Sequence, residues 1–293
     1  MMKIVFFGTP EYVLPILKAV HKKFVMGPGK SPIVAVVTQS PKPIGRKQIL
    51  AYSAIDKWAH ERELPIYYKW IDLIDRKVEA DLGILAAYGE IIPKRVIELF
   101  THGILVIHPS LLPKYRGASP IQATINNGDE ITGVSIIKMD EKVDHGPIVS
   151  QFKEKILDSD TGGSLRDRLF ARTGEVLVEL IKPYLKGKVK PKEQNHEDAT
   201  FTKLIKKEDG FIDLTKADPK KTERFVRAML PWPGAWTKVM VNGQESMAKR
   251  LKILKAHLDI SHQSLIIDEV QLEGKTPVSW KQFKEAYPGT NLN

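Results

Sequence analysis

Short apolar runs alternate with helical patterns through the first half of the chain, and this alternation constrains the fold more than any other feature. The apolar runs lie at residues 3–7, 33–38, 81–88, 103–107 and 133–138. Strands that are apolar on both faces and separated by helices are typical of a parallel sheet with helices on both sides. The pattern therefore predicts an α/β domain with a doubly wound, mostly parallel, Rossmann-like sheet.

The second half of the chain differs from the first. A long helical pattern over residues 163–185 is followed by a basic segment with Pro and Gly residues, and such segments are typical of exposed linkers. Short strand-like runs then predict a small β-barrel-like domain. A length of 293 residues favours two domains. We predict the first domain at residues 1–185, a linker at 186–203 and the second domain at 204–293.

Charge and composition narrow the function. A formal charge of +10 and a pI of about 9.4 favour nucleic acid as a partner over a membrane, because no amphipathic basic helix stands out. A generally solvated basic surface is the alternative. The absence of cysteine excludes disulfides, thiolate metal sites and cysteine nucleophiles. No apolar run is long enough to cross a bilayer and no leader follows Met1, so we expect a cytoplasmic protein without a membrane partner.

The turn after the first predicted strand lacks the glycine pattern of dinucleotide-binding folds. Gly8 is present, but the other glycines of G-x-G-x-x-G are missing, so neither NAD nor FAD is supported. Thr9 suits the N-cap of the following helix, and Pro10 suits its first turn. The start of this helix could still receive an anion or a substrate carbonyl.

A histidine and an aspartate each follow a predicted strand. His108 comes directly after the run at 103–107, and Asp144 lies in a loop after the run at 133–138. Ligands of open parallel sheets bind beyond the carboxyl ends of the strands, so we expect both side chains at the same edge. An imidazole and a carboxylate placed together can act as a general acid/base pair. The histidines show no i, i+4 spacing and no thiolate is available, so no metal site is expected.

Several motifs together resemble one enzyme family. The string HPSLLPKYRG at residues 108–117 is similar to the H-x-S-L-L-P-x-x-x-G signature of the 10-formyltetrahydrofolate-dependent formyltransferases. The loop with Asp144 and Gly146 resembles the second signature of that family. Three further strings resemble the methionyl-tRNA branch of the family in particular. They are FGTPE at residues 7–11, AYGEIIP at 87–93 and PWPGAWT at 231–237.

The resemblance implies formyl transfer. In the family, the α-amine of methionine on initiator tRNA attacks the formyl carbon of 10-formyltetrahydrofolate, for translation initiation. His108 matches the catalytic histidine, which donates to the formyl oxygen or the folate nitrogen. Asp144 matches the aspartate that keeps this histidine charged and handles protons, since an opposite charge within about 4–6 Å raises a histidine pKa. The implied partners are initiator methionyl-tRNA and the folate co-substrate, without a metal, and we expect a monomer.

The resemblance also implies where the folate binds. In the family the pterin ring is read largely by backbone groups of the segments that form the pocket. The matching residues in this chain are Tyr88, Gly89, Glu90, Ile91, Ile92, Ser110, Leu111, Leu112, Pro113 and Asp140.

Val106 departs from the family pattern. The family carries an asparagine two residues before its catalytic histidine, and this chain has Val106 there, with no asparagine between residues 100 and 120. Residues i and i+2 of a strand face the same side, so the amide would have faced the reaction centre beside His108. Losing one oxyanion donor typically lowers turnover by about 10²–10³. A weakened enzyme, a compensating donor, a pseudoenzyme and an engineered substitution all remain open.

A basic segment carries the argument for RNA. The string SPKPIGRK at residues 40–47 resembles the insertion that methionyl-tRNA formyltransferases wedge into the acceptor end of tRNA. Its cations Lys42, Arg46 and Lys47 suit phosphate or base contacts, and an ordinary solvated loop is the alternative. Between residues 252 and 270 the chain is shorter than the C-terminal barrel of the family, so we expect a strand or two to be missing there.

Other functions remain in competition. Formylation of a sugar-nucleotide amine is the first alternative, because those enzymes share both signatures, although their usual second enzymatic domain has no room here. Formylation of a purine precursor is less favoured, since those enzymes end near the first domain. The alternative outside enzymes is a folate- or tRNA-binding pseudoenzyme, which Val106 motivates.

Overall fold

The computed structural model describes residues 2–27, 29–44, 48–240, 248–259 and 261–290. Contacts between residues divide the chain into two compact units. The first comprises Met1–Arg116, Thr132–Glu154 and Arg166–Phe201, and the second comprises Gly117–Ile131, Lys155–Leu165 and Thr202–Asn293. Two stretches of the predicted first domain thus group with the second unit. The domain boundaries at residues 185 and 204 stay a prediction.

The secondary structure alternates as the sequence predicts in the first half. The strands are β1 (Ile4–Gly8), β2 (Ile33–Val37), β3 (Lys42–Ile44), β4 (Ile49–Ala51), β5 (Ile66–Tyr67), β6 (Leu82–Ala86), β7 (Ile104–His108), β8 (Arg116–Gly117), β9 (Ile131–Lys138), β10 (Ile148–Lys155), β11 (Phe201–Thr202), β12 (Ala235–Met240), β13 (Ala248–Asp259), β14 (Ser264–Leu272) and β15 (Val278–Ser279). The α-helices are α1 (Leu14–Phe24), α2 (Ala54–His60), α3 (Ile71–Asp75), α4 (Lys94–Ile97), α5 (Pro120–Asn127), α6 (Gly162–Leu185), α7 (Pro219–Met229) and α8 (Trp280–Ala286).

The first unit is built on a seven-stranded sheet in the order β10-β9-β7-β6-β1-β2-β5. Strand β1 pairs in parallel with β2 and β6, while β5 and β7 extend the parallel part on either side. Strand β9 is antiparallel to β7. Every residue of β1 is buried, which explains its unbroken apolar sequence, since a central strand is covered on both faces. The predicted mostly parallel α/β sheet is confirmed.

The turn after β1 differs from the prediction. A short 3-10 helix, Glu11–Val13, comes first, and α1 begins at Leu14 with Pro15 in its first turn. Thr9 does not cap a helix, because its hydroxyl oxygen accepts a hydrogen bond from the backbone N–H of Gln39 at 3.1 Å. The residue therefore links the ends of β1 and β2, which is a long-range contact that local sequence patterns do not reveal.

The predicted linker is free over only part of its length. The side chains of Lys186, Lys188 and Lys190 are exposed, as expected. Lys192, by contrast, exchanges backbone hydrogen bonds with Ile148 at 2.7 and 2.8 Å. Gln194 is only 6% exposed. The segment at residues 192–194 is thus held in the first unit by backbone hydrogen bonds and a buried amide side chain, and it is not an exposed linker.

The second unit contains a four-stranded sheet in the order β12-β13-β14-β15, with antiparallel pairing throughout. Its core joins Leu251, Val270 and Phe283, so both long strands and α8 contribute to it. A small C-terminal β domain was predicted and is found. Within the residues that the structure describes, β12 and β15 lie at opposite ends of the strand order, so the sheet is open there.

Candidate active site

His108 is the last residue of β7 and lies in the interior, with 4% of its surface exposed. Its Nε2–H donates to the carbonyl oxygen of Tyr115 at 2.8 Å. Its Nδ1 lies 3.4 Å from Oδ2 of Asp144, whose side chain is also mostly buried. The structure therefore brings the predicted imidazole and carboxylate together. The bond to Tyr115 selects the tautomer that leaves Nδ1 as the basic nitrogen facing Asp144.

Burial controls the charge of this pair. Loss of hydration lowers the pKa of His108, the Asp144 carboxylate and the Tyr115 carbonyl oppose this in part, and the Arg116 guanidinium lowers the pKa further. The ring is therefore neutral near pH 7. The Asp144 carboxylate favours the charged ring, as expected, while burial opposes it, and the charging role of Asp144 stays a prediction. The pair is suited to accepting a proton at Nδ1.

Asp144 reaches His108 from an unexpected direction. Strand β9 is antiparallel to β7, with Lys138 opposite Leu105 and Ser135 opposite His108. The strand that precedes Asp144 therefore ends away from His108, although Asp144 itself lies beside His108 as predicted. The loop of residues 139–147, the Asp144 loop, returns along the strands and brings the carboxylate to the ring.

The backbone of the Asp144 loop is constrained at two residues. Asp144 has φ of 50°, a left-handed conformation that is uncommon for a residue with a side chain. A Cβ on Gly146 would lie 1.9 Å from the carbonyl oxygen of Lys138, so only glycine fits there. The two residues that carried the resemblance in this loop thus have distinct roles. Asp144 supplies the carboxylate, and Gly146 permits the close approach to β9.

Val106 provides no polar group beside His108. It is 8% exposed and belongs to an apolar cluster with Leu112 and Ile137. Ile137 is its cross-strand partner on β9. Within the described part of the chain, no buried side-chain nitrogen or oxygen lacks a hydrogen-bond partner. The substitution of the family asparagine is therefore accommodated by the packing, and position 106 has no donor to offer an oxyanion.

Residues 87–92 form a turn at the end of β6 that presents backbone to its surroundings. Tyr88 itself is fully buried, with its ring 5.8 Å from that of Phe7, and Ile92 packs in the same core. The predicted part of this segment in the folate pocket, largely through its backbone groups, stays a prediction. Gly89 and Glu90 are exposed and the side chain of Ile91 is 82% exposed. Tyr88 and Ile92 therefore anchor a turn whose intervening residues are accessible.

Residues 110–113 form a second turn, directly after β7. The Ser110 hydroxyl donates to the carbonyl oxygen of Lys114 at 2.6 Å and is fully buried, so it stabilises the turn. The Leu112 side chain packs against Val106. Ser135 accepts a bond from the Leu112 N–H at 3.0 Å and donates to the Ser110 carbonyl at 2.7 Å. Leu111 and Pro113 are partly exposed beside these anchored residues.

Asp140 holds the Asp144 loop together. Its carboxylate accepts from the backbone N–H of Lys142 at 2.9 Å and from Nδ1 of His145 at 2.6 Å. These bonds give it a structural part in the loop, while its predicted contact with folate stays a prediction. Both bonds are local in sequence, within five residues.

Three further residues, Arg116, Gln194 and His196, lie against each other and against the Asp144 loop, and the sequence did not single them out. Gln194 donates to the carbonyl oxygens of Asp144 and Gly146, and Arg116 donates to both Gln194 and His196. Arg116 stands within the first signature string, which was a usable signal. Gln194 gave none, because its partners lie about fifty residues or more away in the chain.

The basic segment after β2 forms part of a hairpin between β3 and β4. Lys42 is exposed, and its amine donates to the Gln39 side chain at 3.4 Å. Arg46 and Lys47 lie outside the described residues. Ile49 and Leu50 follow on β4 with their apolar side chains in solvent. The described part of this segment thus combines an exposed cation with exposed apolar side chains.

Membrane-spanning helices and clusters of metal ligands would indicate other classes of function. No helix among the described residues has the length and apolar character needed to cross a membrane. In the same part of the chain, no three histidine or acidic side chains are grouped as metal ligands would be.

Comparison with known families identifies the class. Residues 2–181 match the formyl transferase family, and residues 204–264 match the formyl transferase C-terminal domain. The chain belongs to the formyl transferase family. Members of this family are enzymes that transfer a one-carbon formyl group. The resemblance inferred from the sequence motifs is confirmed.

Individual relatives narrow the class further. A methionyl-tRNA formyltransferase of Agathobacter rectalis is 34% identical over an alignment of 305 positions, gaps included, that covers 96% of each chain. Among solved structures, methionyl-tRNA formyltransferase from Clostridium thermocellum has a TM-score of 0.59 at 22% identity, covering 93% of this chain and 99% of that one. An N-formyltransferase from Helicobacter canadensis, in complex with folinic acid and dTDP-3-aminofucose, has a TM-score of 0.65 at 18% identity, covering 88% of each.

Proposed function

We propose that this chain transfers the formyl group of 10-formyltetrahydrofolate to the α-amine of methionine on initiator tRNA, for translation initiation. The observation that carries the proposal is the buried His108–Asp144 pair at the carboxyl end of β7. The pair stands in a chain whose relative of near-equal length is a methionyl-tRNA formyltransferase. We expect the protein to act as a cytoplasmic monomer, where charged tRNA and folate are both available.

The pair acts as the base of the reaction. An amine becomes a nucleophile only when it is neutral, and it must lose a further proton as the amide bond forms. Nδ1 of His108 is basic and neutral near pH 7, and Asp144 lies 3.4 Å away to stabilise the imidazolium once a proton arrives. The Tyr115 carbonyl holds the ring from the opposite side. His108 thus receives the proton of the attacking amine and returns it to the folate nitrogen as the bond from that nitrogen to the formyl carbon breaks. Asp144 shares the charge of the imidazolium between these two steps.

The residues near His108 fit a folate. A pterin ring has flat apolar faces and an edge of alternating donors and acceptors, which backbone groups and apolar side chains can satisfy. The accessible turn at residues 89–91 and the partly exposed Leu111 and Pro113 offer such groups. Bound 10-formyltetrahydrofolate would supply the electrophilic formyl carbon. Tyr88, Ile92 and Ser110 keep these turns in place.

Val106 sets the expected efficiency. The apolar side chain leaves position 106 without a donor for developing negative charge on the formyl oxygen, a contribution worth roughly 10²–10³ in turnover. We therefore propose an enzyme of reduced activity. A folate- or tRNA-binding pseudoenzyme is the second candidate, and the same observation at Val106 favours it.

The charge distribution supports RNA as the carrier of the amine. The net charge of +10 suits a polyanion, and the β3–β4 hairpin projects Lys42 with exposed apolar neighbours. We propose that Lys42, Arg46 and Lys47 contact the acceptor end of the tRNA. Phosphate contacts of this kind position a nucleic acid without reading its sequence.

A formylation assay with three acceptors tests the proposal. Methionyl initiator tRNA, an amino-sugar nucleotide and a purine-precursor amine are each supplied with 10-formyltetrahydrofolate, and formylated product is measured. We expect product with the charged tRNA alone, its loss in His108→Ala, and a strong decrease in Asp144→Asn. His60→Ala, which removes an exposed histidine on α2, is the matched control and should keep full activity. Product with the sugar amine would reassign the substrate, and folate or tRNA binding without any product would establish the pseudoenzyme.

A further inference from the structure

A buried glutamine from the predicted linker holds the Asp144 loop. Nε2 of Gln194 donates to the carbonyl oxygens of Asp144 at 2.9 Å and of Gly146 at 2.7 Å. Its Oε1 accepts from Nε and Nη2 of Arg116 at 3.2 and 2.7 Å. A carboxamide has two N–H donors and one oxygen with two lone pairs. Every one of these positions is occupied, so the side chain has a single orientation that satisfies its neighbours.

His196, two residues after Gln194, contacts the Asp144 loop at His145. The ring of His196 stacks on that of His145, with centroids 3.9 Å apart and planes 8° from parallel. Nδ1 of His196 accepts from Nη2 of Arg116 at 2.8 Å, and His145 donates to Asp140 at the start of the loop. The buried Arg116 therefore orients both Gln194 and His196, and together these two residues hold the loop at residues 144–146.

We propose that Gln194 is a positioning residue for formyl transfer, which fixes the left-handed backbone of Asp144 so that its carboxylate faces Nδ1 of His108. This inference rests on the proposed role of the His108–Asp144 pair. A non-glycine residue at φ of 50° persists only when its surroundings hold it, and the carbonyl group that Gln194 binds belongs to Asp144 itself. Among the described residues, the hydrogen bonds of Gln194 reach Arg116 and the end of the Asp144 loop and neither of the two turns proposed to bind folate, so its effect on the base should exceed its effect on folate binding.

The substitution Gln194→Glu separates positioning from folding. A glutamate has the same shape and would keep its bonds to Arg116 as an ion pair, so the buried guanidinium remains satisfied. It loses both N–H donors and turns carboxylate oxygens towards the carbonyl oxygens of Asp144 and Gly146, which repel them. The matched control is Glu193→Gln, which changes the exposed neighbouring residue by the reverse substitution.

Two measurements are made on each variant. Hydrogen exchange followed by mass spectrometry should show faster exchange at residues 139–147 in Gln194→Glu and no change in Glu193→Gln. Turnover should fall roughly 10- to 100-fold in Gln194→Glu, since a misplacement of about 1 Å can have an effect of this size. The KM for folate should stay near that of the parent chain, with every variant assayed well below its own melting temperature, because two buried carbonyl oxygens lose their donors in Gln194→Glu. In an Asp144→Asn background, Gln194→Glu should have no further effect, because both substitutions act through one carboxylate.

The outcomes separate this inference from the proposed function. Unchanged exchange at residues 139–147, or equal effects of Gln194→Glu with and without Asp144, would overturn the positioning role. Faster exchange in the loop, together with a parent chain that formylates none of the acceptors, would support the structural role of Gln194 and overturn formyl transfer. A rise in the folate KM without a change in turnover would contradict the inference, since it would place Gln194 at the folate site.

Discussion

His108 and Val106 lie two residues apart on β7 and on the same face of the strand, yet they bear on the reaction in opposite ways. The buried neutral ring of His108 next to Asp144 provides a base that works near pH 7. The apolar side chain of Val106 supplies nothing to the charge that develops on the formyl oxygen. A competent base beside a missing donor predicts that the lost amide limits turnover.

We expect Val106→Asn to raise turnover with charged tRNA by roughly 10- to 1,000-fold, the scale of one oxyanion donor. The folate KM should change much less, because the donor acts mainly on charge that appears in the transition state. The new amide would enter the cluster with Leu112 and Ile137, so the free energy of unfolding should fall by about 1–3 kcal/mol if the amide lacks partners. Steady-state kinetics and thermal unfolding measure the two effects.

The matched control is Val106→Leu, which has nearly the shape of asparagine without its amide. An equal rise in both variants would trace the gain to packing, and no rise in Val106→Asn would show that another group stabilises the oxyanion or that the site is inactive for other reasons.

At the scale of elements, the β3–β4 hairpin is proposed to bind the tRNA, and the Asp144 loop is proposed to place the carboxylate beside the base His108. The hairpin follows β2 and exposes Lys42, Ile49 and Leu50. The Asp144 loop, by contrast, is held by hydrogen bonds from the buried Gln194. An exposed cation near exposed apolar side chains is suited to a nucleic acid end, where phosphates and unstacked bases are both accessible.

Replacing Lys42 and Lys47 with alanine should raise the KM for charged tRNA and leave folate binding unchanged. The dependence of log K on log salt should become shallower by about 1–2, because fewer phosphates are neutralised. Filter binding across a salt series measures this slope. Lys18→Ala with Lys22→Ala removes the same charge from the exposed side of α1 and should change the slope little. Equal effects of the two pairs of substitutions would show that the hairpin lysines contribute only general electrostatic attraction for tRNA and no specific contact.

At the scale of the whole molecule, the chain falls into two compact units that its sequence order does not separate cleanly. Helix α5 lies in the first half of the chain and contacts α7 in the second unit. The predicted linker is likewise divided, with exposed lysines up to residue 190 and a bonded segment from Lys192. The position at which a protease first cuts should reflect this division.

Limited trypsin digestion should cut first after Lys186 or Lys188. Both side chains are exposed, and a protease needs a stretch of chain that can leave its surroundings. Lys192 should be cut later, since its backbone is bonded to Ile148 and the buried Gln194 follows closely. Mass spectrometry of the first fragments identifies the site. A first cut within residues 1–185 or 204–293 would contradict the proposed division.

The sequence predicted the sheet because its strands carry their own signal. A strand such as β1 is buried on both faces and is therefore apolar throughout, and this pattern is visible without any contact partner. The motifs identified His108 and Asp144 in the same way, as residues at the ends of apolar runs. The folate turns stay a prediction, and only the structure places the side chains of Tyr88 and Ile92 in the core.

By itself, then, the sequence determined the α/β class, the family and the two residues of the proposed base, because each is encoded in a short stretch of chain. The tertiary structure decided the direction of β9, the lowered pKa of His108 and the hydrogen bonds from Gln194 to the Asp144 loop. These depend on burial and on hydrogen bonds such as those from Arg116 to Gln194, residues 78 positions apart. Local patterns carry no information about such pairs, since the contact forms only when the folded sheet brings the two segments together.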